Sequence, residues 1–189
     1  FMYKLTDPIL NRKVRFALVG CGRISHKHLQ ALEQHKESSE LVDVCDIDSS
    51  ALKMVKEKTG ARGHKNLSRL LAETNADCII LTTPSGLHAE QAIQVAAAHK
   101  HLMTEKPMAT RWKDGLQMVE ACDRAGVRLF VVKQNRCNAT LRLLRRAIDH
   151  NRFGRIYSVG VNVFWTRPQS YYDSAKWRGT WEFDGGALM

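Results

Sequence analysis

Val14-Arg15-Phe16-Ala17-Leu18-Val19-Gly20-Cys21-Gly22-Arg23-Ile24-Ser25 reads as a buried strand, a glycine turn and the opening of a helix. Gly20 lets the backbone turn sharply out of the strand. Gly22, with no Cβ, lets a pyrophosphate approach the main chain at the positive end of the following helix. The third position of the usual glycine fingerprint is Ser25, still small enough for close packing of helix on strand. Because a lone Gly-x-Gly also fits an ordinary strand-to-helix turn, the surrounding pattern has to carry the assignment. Ile24, His28, Leu29 and Leu32 trace a helical stripe, and Leu41-Val42-Asp43-Val44-Cys45 is a second strand ending in Asp46, 24 residues beyond Gly22. A carboxylate there accepts hydrogen bonds from the ribose hydroxyls of NAD and repels the 2′-phosphate of NADP. Asp46 is the candidate ribose ligand; the competitor is Asp48, whose place before Ser49-Ser50 suits a helix cap.

Strand and helix signals then alternate as a parallel α/β sheet requires. Leu52 and Val55 start a helix that Gly60 can end, Leu67, Leu70 and Leu71 mark a short one, and Asp77-Cys78-Ile79-Ile80-Leu81 is a third strand. It stops at Thr82-Thr83-Pro84-Ser85-Gly86, before a helix through Ile93 and Ala97. His101-Leu102-Met103-Thr104 forms a strand that ends in Glu105-Lys106-Pro107, and a helix with Leu116 and Val119 leads through Gly126 to the strand Val127–Val132. In open parallel sheets ligands sit outside the carboxyl ends of the strands, so Gly20, Asp46, Thr82 and Lys106 should share one crevice. The pattern changes near residue 150: Tyr157, Val159, Val161, Val163 and Trp165 alternate as one face of a half-buried strand. One such strand cannot stand alone, so the second unit reads as an α+β domain that is incomplete, or whose strand pairs with another subunit. The boundary falls at 134/135.

At 189 residues and 44% hydrophobic content the chain can bury one full core and a small appendage. No segment approaches the roughly 18 apolar residues of a membrane span, and the first eight residues lack the apolar heart of a secretion signal. The five cysteines form no Cys-x-x-Cys pair, which fits reduced thiols in a cytoplasmic protein. The net charge of +10 is scattered, with one cluster at Arg142, Arg145, Arg146, Arg152 and Arg155 and no aromatic-interleaved platform for a single strand. That distribution argues against nucleic acid or a membrane surface as partner. No His-x-x-x-His or Cys-x-x-Cys spacing supports a metal site.

Lys106 is the candidate catalytic residue, since a lysine beside a nicotinamide can hold a substrate hydroxyl and bias its proton loss. Glu105 would balance its charge; alternatively the two are a surface ion pair before a turn proline. His88 fits either an approach to the cofactor or a helix cap. Thr82 and Thr83 fit either donors to phosphate or ribose, or partners for strand-end backbone.

Together, Gly-Cys-Gly-Arg-Ile-Ser, the turn Thr82-Thr83-Pro84-Ser85-Gly86-Leu87-His88 and Glu105-Lys106-Pro107 resemble the glucose–fructose oxidoreductase / inositol dehydrogenase superfamily. The resemblance implies a Rossmann domain, a doubly wound parallel sheet, followed by an open α+β domain that also builds the contacts of a homo-oligomer, a dimer or tetramer. It implies cofactor contacts from Gly20, Gly22, Arg23, Ile24, Asp46, Thr82, Thr83, Pro84, His88, Glu105 and Lys106, an active-site role for Lys106, and a cis bond at Lys106-Pro107. Within the superfamily, the tail from Phe164-Trp165-Thr166-Arg167 through Tyr171, Lys176-Trp177-Arg178 and Asp184-Gly185-Gly186 is similar to the UDP-N-acetylglucosaminuronate 3-dehydrogenases of lipopolysaccharide sugar synthesis. That similarity implies oxidation of the C3 hydroxyl of a UDP-sugar, with a catalytic histidine beyond Met189. A segment dense in Arg, Lys, Trp and Tyr suits a diphosphate, a uracil and a carboxylate. Arg167 and Arg178 are the stronger substrate candidates and Tyr171 and Lys176 the weaker; alternatively the aromatics only pack this loop over the sheet.

Overall fold

A computed structural model describes residues 8–185; the opening residues and the closing Gly186-Ala187-Leu188-Met189 lie outside the described residues. Six strands form one sheet: β1 Val14–Val19, β2 Ser39–Cys45, β3 Arg62–His64, β4 Cys78–Leu81, β5 His101–Thr104 and β6 Leu129–Val131. All neighbours are parallel, in the order β3-β2-β1-β4-β5-β6. The chain therefore winds outward from β1 to β3, returns to the other side of β1 at β4, and winds outward again. Loops leaving β1 and β4 diverge, and a crevice opens where the winding reverses. The expected parallel sheet is present, with β3 an addition: three residues with no apolar run gave no strand signal.

Alternation along β1 and β4 divides the core between the two faces. Leu18 and Ile80 point to one side and pack with Leu29, Leu52 and Val55 from helices α1 (Ser25–Gln34) and α2 (Ser49–Thr59). Ala17, Val19, Ile79 and Leu81 point to the other, against Leu70 of α3 (Leu67–Glu73), Val95 of α4 (His88–Ala97) and Met118 of α5 (Trp112–Ala125). On α5 the buried face is Gly115, Met118 and Cys122, one step round from Leu116 and Val119, which lie at the surface. Asp48 caps α2, accepting from the Ser50 and Ala51 amides at 2.7 and 3.2 Å, and Gly60 closes that helix in the left-handed region.

Two carboxylates tie the sheet together. Asp43, fully buried in β2, accepts from Arg62 Nε at 2.7 Å, Thr74 Oγ1 at 2.6 Å and His64 Nε2 at 2.8 Å, pinning β3 to β2. Burial pushes its pKa up, but these hydrogen bonds outweigh it and hold the group below the ordinary range. Asp77, just before β4, accepts two hydrogen bonds from Arg12 at 2.6 and 2.8 Å and the Arg15 amide at 2.8 Å.

After β6 the chain runs through α6 (Ala139–Asp149) and a short α7 (Gln169–Asp173). The strand expected over 157–165 is not formed: Tyr157, Val159, Val161, Val163 and Trp165 are all more than 70% exposed, and the stretch pairs with nothing among the described residues. The reason is physical, since a strand exists through the hydrogen bonds of its neighbour, and no second strand of that unit accompanies it here.

Asp77 gives the fold a defined acid sensitivity. Arg12 and Arg15 hold its carboxyl well below the usual carboxylate range. A depressed folded pKa means that the stabilisation is complete above the unfolded value of about 3.9 and is lost as pH falls below it. Urea unfolding should show Asp77→Asn less stable than the parent at neutral pH, with the difference shrinking progressively below about pH 4.

Candidate active site at the strand ends

The turn after β1 is built by close approach. Gly20 has φ +97°, and a Cβ there would stand 2.8 Å from both the carbonyl carbon and oxygen of Thr82 at the end of β4. Gly22 is different: a Cβ there would meet nothing within 4 Å, so the protein's own packing does not require glycine. Ser25 is buried and donates its hydroxyl to the Gly22 carbonyl at 2.6 Å, so the third fingerprint position fastens the turn as well as fitting it. The amides of Gly22, Arg23 and Ile24 donate to no protein group among the described residues, and α1 has no acidic residue in its first turn. Free amides at an uncompensated helix start, with open space before Gly22, fit a dinucleotide pyrophosphate.

Asp46 stands at the end of β2, half-buried. Its carboxylate accepts from the Cys21 amide at 2.6 Å and the Asp48 amide at 2.7 Å, which fixes it beside the glycine turn with lone pairs left over. Asp48 caps α2, while Asp46 is the carboxylate that stands against the glycine turn. Thr82 donates its hydroxyl toward the Val19 and Gly20 carbonyls at 3.0 and 2.5 Å, and Thr83 donates to Gln91 at 2.6 Å. Thr82 is thus spent on strand-end backbone. The Cys21 thiol inside the turn is buried, and that burial pushes its pKa up to about 12, so it remains neutral.

Glu105, Lys106 and Pro107 follow β5, and the Lys106-Pro107 bond is cis. Lys106 is exposed, while Glu105 turns inward: its Oε1 lies 2.9 Å from His28 Nε2 of α1, and its Oε2 accepts the Lys106 amide at 3.2 Å. Burial raises the Glu105 pKa, but His28 and the Lys106 amide outweigh it and keep the carboxyl ionised. Among the described residues Glu105 and Lys106 form no contact ion pair, although the lysine's charge helps to hold the Glu105 pKa down.

His88 needs correction. It is 1% exposed, with Nδ1 2.8 Å from the Pro107 carbonyl and Nε2 2.9 Å from that of Thr83. The ring braces two loops instead of facing a ligand, and burial lowers its pKa despite the two carbonyls. Pro84 opens the single helical turn Ser85–Leu87, and Ile24, 40% exposed, sits at the start of α1.

The segment after α6 returns to this crevice. The Gly86 amide donates to the Phe183 carbonyl at 2.9 Å, and a Cβ on Gly86 would strike the backbone of Glu182 and Phe183. Gly86 is therefore where Glu182 and Phe183 rest on the turn after β4. Around Tyr171 of α7 gather three guanidiniums: Arg178 at 4.3 Å from the ring centre, Arg167 at 4.8 Å and Arg23 at 5.5 Å. Arg23, expected on the cofactor side, thus joins the candidates of the tail. Lys176 is exposed and apart from this group. Sequence reasoning missed the Gly86 contact and the partner of His28; the latter had a signal, a histidine inside the apolar stripe of α1.

The profile of the oxidoreductase family with an NAD-binding Rossmann fold matches residues 14–133. The chain belongs to the Gfo/Idh/MocA family. It is 30% identical to an inositol 2-dehydrogenase of Saccharopolyspora erythraea over 85% of this chain and 48% of that protein. A myo-inositol 2-dehydrogenase of Thermotoga maritima is 27% identical, over 78% and 44%. Among solved structures, the WlbA dehydrogenase of Chromobacterium violaceum, in complex with NADH and UDP-GlcNAcA, is 66% identical with a TM-score of 0.95, covering 98% of this chain and 54% of that one. The Bordetella pertussis WlbA dehydrogenase, with the same two molecules, is 63% identical with a TM-score of 0.93, covering 96% and 55%. The chain spans about half the length of these relatives.

The two glycines should separate fold from binding. Gly20→Ala meets both backbone contact and a left-handed φ, and should lower stability by about 1–3 kcal/mol in urea unfolding. Gly22→Ala should unfold like the parent yet bind NAD at least about tenfold more weakly by calorimetry, a cost of roughly 1.4 kcal/mol.

Proposed function

We propose that the protein is an NAD-dependent dehydrogenase that oxidises the C3 hydroxyl of UDP-N-acetylglucosaminuronic acid, in the making of lipopolysaccharide sugars. The observation that carries this reading is the 66% identity, over nearly the whole chain, to a dehydrogenase solved with NADH and UDP-GlcNAcA. The inositol dehydrogenases, at 27–30%, are more distant relatives. Residues 1–134 form the NAD-binding domain in this proposal, and 135–189 belong to a domain for substrate binding and self-association. Among the described residues no helix is long and apolar enough to cross a membrane, which accords with a cytoplasmic enzyme.

NAD, when bound, would supply the hydride acceptor for C3. The Gly22, Arg23 and Ile24 amides would hold its pyrophosphate at the start of α1, and Asp46 would accept from the adenosine ribose. Lys106 reaches from the end of β5 to the substrate, where its ammonium donates to the C3 oxygen and eases loss of the hydroxyl proton to a general base, the histidine that the family resemblance implies beyond Met189, as the hydride leaves C3. Arg167, Arg178 and Arg23, grouped around Tyr171, take the anionic groups of the UDP-sugar, with Lys176 at the rim.

Stopped-flow mixing of the NAD-loaded protein with UDP-N-acetylglucosaminuronic acid, myo-inositol and free glucose tests the reading through nicotinamide absorbance. Reduction by the UDP-sugar is expected; reduction by inositol alone, or by none of them, overturns it. Lys106→Ala should slow the reduction about 10²- to 10⁴-fold while NAD affinity holds. Asp46→Ser should weaken NAD about tenfold and narrow its advantage over NADP, since it removes both a ribose acceptor and the charge that repels the 2′-phosphate.

A further inference from the structure

We propose that His28 is a positioning residue for Lys106, acting through the carboxylate of Glu105; the proposal rests on the reading of Lys106 as the residue that holds the substrate hydroxyl. Lys106 itself is exposed, and its long stem offers many rotamers. Its backbone, by contrast, is held from both sides. On the amino side, the Glu105 amide donates to Leu81 at 3.0 Å, the Glu105 Oε1 meets His28 Nε2 at 2.9 Å, and Oε2 takes the Lys106 amide at 3.2 Å. On the carboxyl side, the Pro107 carbonyl lies 2.8 Å from His88. The carboxylate has one oxygen on the cofactor helix and the other on the lysine's own amide. His28 thereby links the helix that starts at the pyrophosphate site to the loop that carries the amine.

Two features separate this from ordinary packing. The His28 and Glu105 side chains are only 11% and 13% exposed, beside the apolar residues of the α1 face. A buried polar pair in such a place is weak support for stability, because a well-packed apolar pair of similar volume generally serves the fold as well or better. The pair also sits where a shift matters, since displacing a reacting group by about 1 Å can cost roughly 10²-fold in rate. His28 does not touch the substrate in this scheme; it sets where Glu105 stands, and Glu105 sets the Lys106 main chain.

The test compares His28→Leu with His28→Gln, whose amide nitrogen can occupy the place of Nε2. Amide hydrogen exchange by NMR on the full chain reads the link without any turnover. In His28→Leu the Lys106 amide should exchange at least about tenfold faster while the amides of β1 and β4 keep their protection, and His28→Gln should restore it. In the turnover assay, His28→Leu should lower kcat about tenfold or more with KM for NAD within about twofold, again rescued by His28→Gln. Unchanged exchange at Lys106, or acceleration spread evenly over the sheet, overturns the proposal. If the parent reduces its NAD with no UDP-sugar, the functional reading fails, and the exchange data still decide the role of His28. Should His28→Leu not fold, His28→Asn, whose amide stops short of Glu105, carries the same comparison.

Discussion

Without a Cβ at Gly20, the ends of β1 and β4 close to a separation that any side chain would forbid. That one contact brings the Thr82 carbonyl to 2.8 Å from where a Cβ would be, and the neighbouring strand ends lock onto it in turn. The Gly20 amide donates to Cys45 of β2, the Thr82 amide to Val19 of β1, and the Glu105 amide to Leu81 of β4. Four strand ends are thereby fixed in a row, bearing Asp46, Gly22, Thr83 and Lys106. A loosened Gly20 contact would shift every one of these groups relative to its neighbours.

The polar side chains nearest the crevice are mostly spent on holding its walls. Thr82 bonds the backbone of β1 and the glycine turn, His88 spans the loops after β4 and β5, Glu105 reaches His28, and Asp46 receives two amides. Among the described residues, the groups left without a protein hydrogen-bond partner are of another kind: the Gly22, Arg23 and Ile24 amides and the amine of Lys106. The three amides are rigid donors and suit a negatively charged ligand, because they need no rearrangement to receive it. The division of labour is physical. Residues with two hydrogen-bonding atoms cross-link the loops, and single donors point outward.

Apolar runs bounded by turn residues and glycine punctuation made five of the six strands legible, along with the cap of α2 at Asp48 and the alignment of Gly20, Asp46, Thr82 and Lys106 at neighbouring strand ends. Those signals are local, depending on a few adjacent residues. What escaped is set by distant partners. β3 is a strand because Asp43 draws Arg62 and His64 to the edge of β2, not because its three residues favour one. His88 looked like a ligand because its burial depends on loops nineteen residues apart in sequence. The 157–165 stretch has the pattern of a strand, but pattern supplies only one of the two partners that a ladder needs.

Charge ties these strands of argument together. The chain carries a net +10, yet its buried and half-buried carboxylates are already committed: Asp43 to Arg62, Asp77 to Arg12 and Arg15, Glu105 to His28. Among the described residues Arg23, Arg167 and Arg178 pair with no carboxylate, although they converge on a single tyrosine ring. Contact with a ring face offers each guanidinium only about 0.5–1 kcal/mol at such exposure, and like charges so close oppose one another. The Arg178 Nε is buried with no hydrogen-bond partner among the described residues. A cluster that repels itself and leaves a donor unmet is stable only at the expense of packing, and an anion with several oxygens relieves both costs at once. Arg23 belongs to the glycine turn and the other two to the returning tail, so such an anion would sit where the two segments already meet.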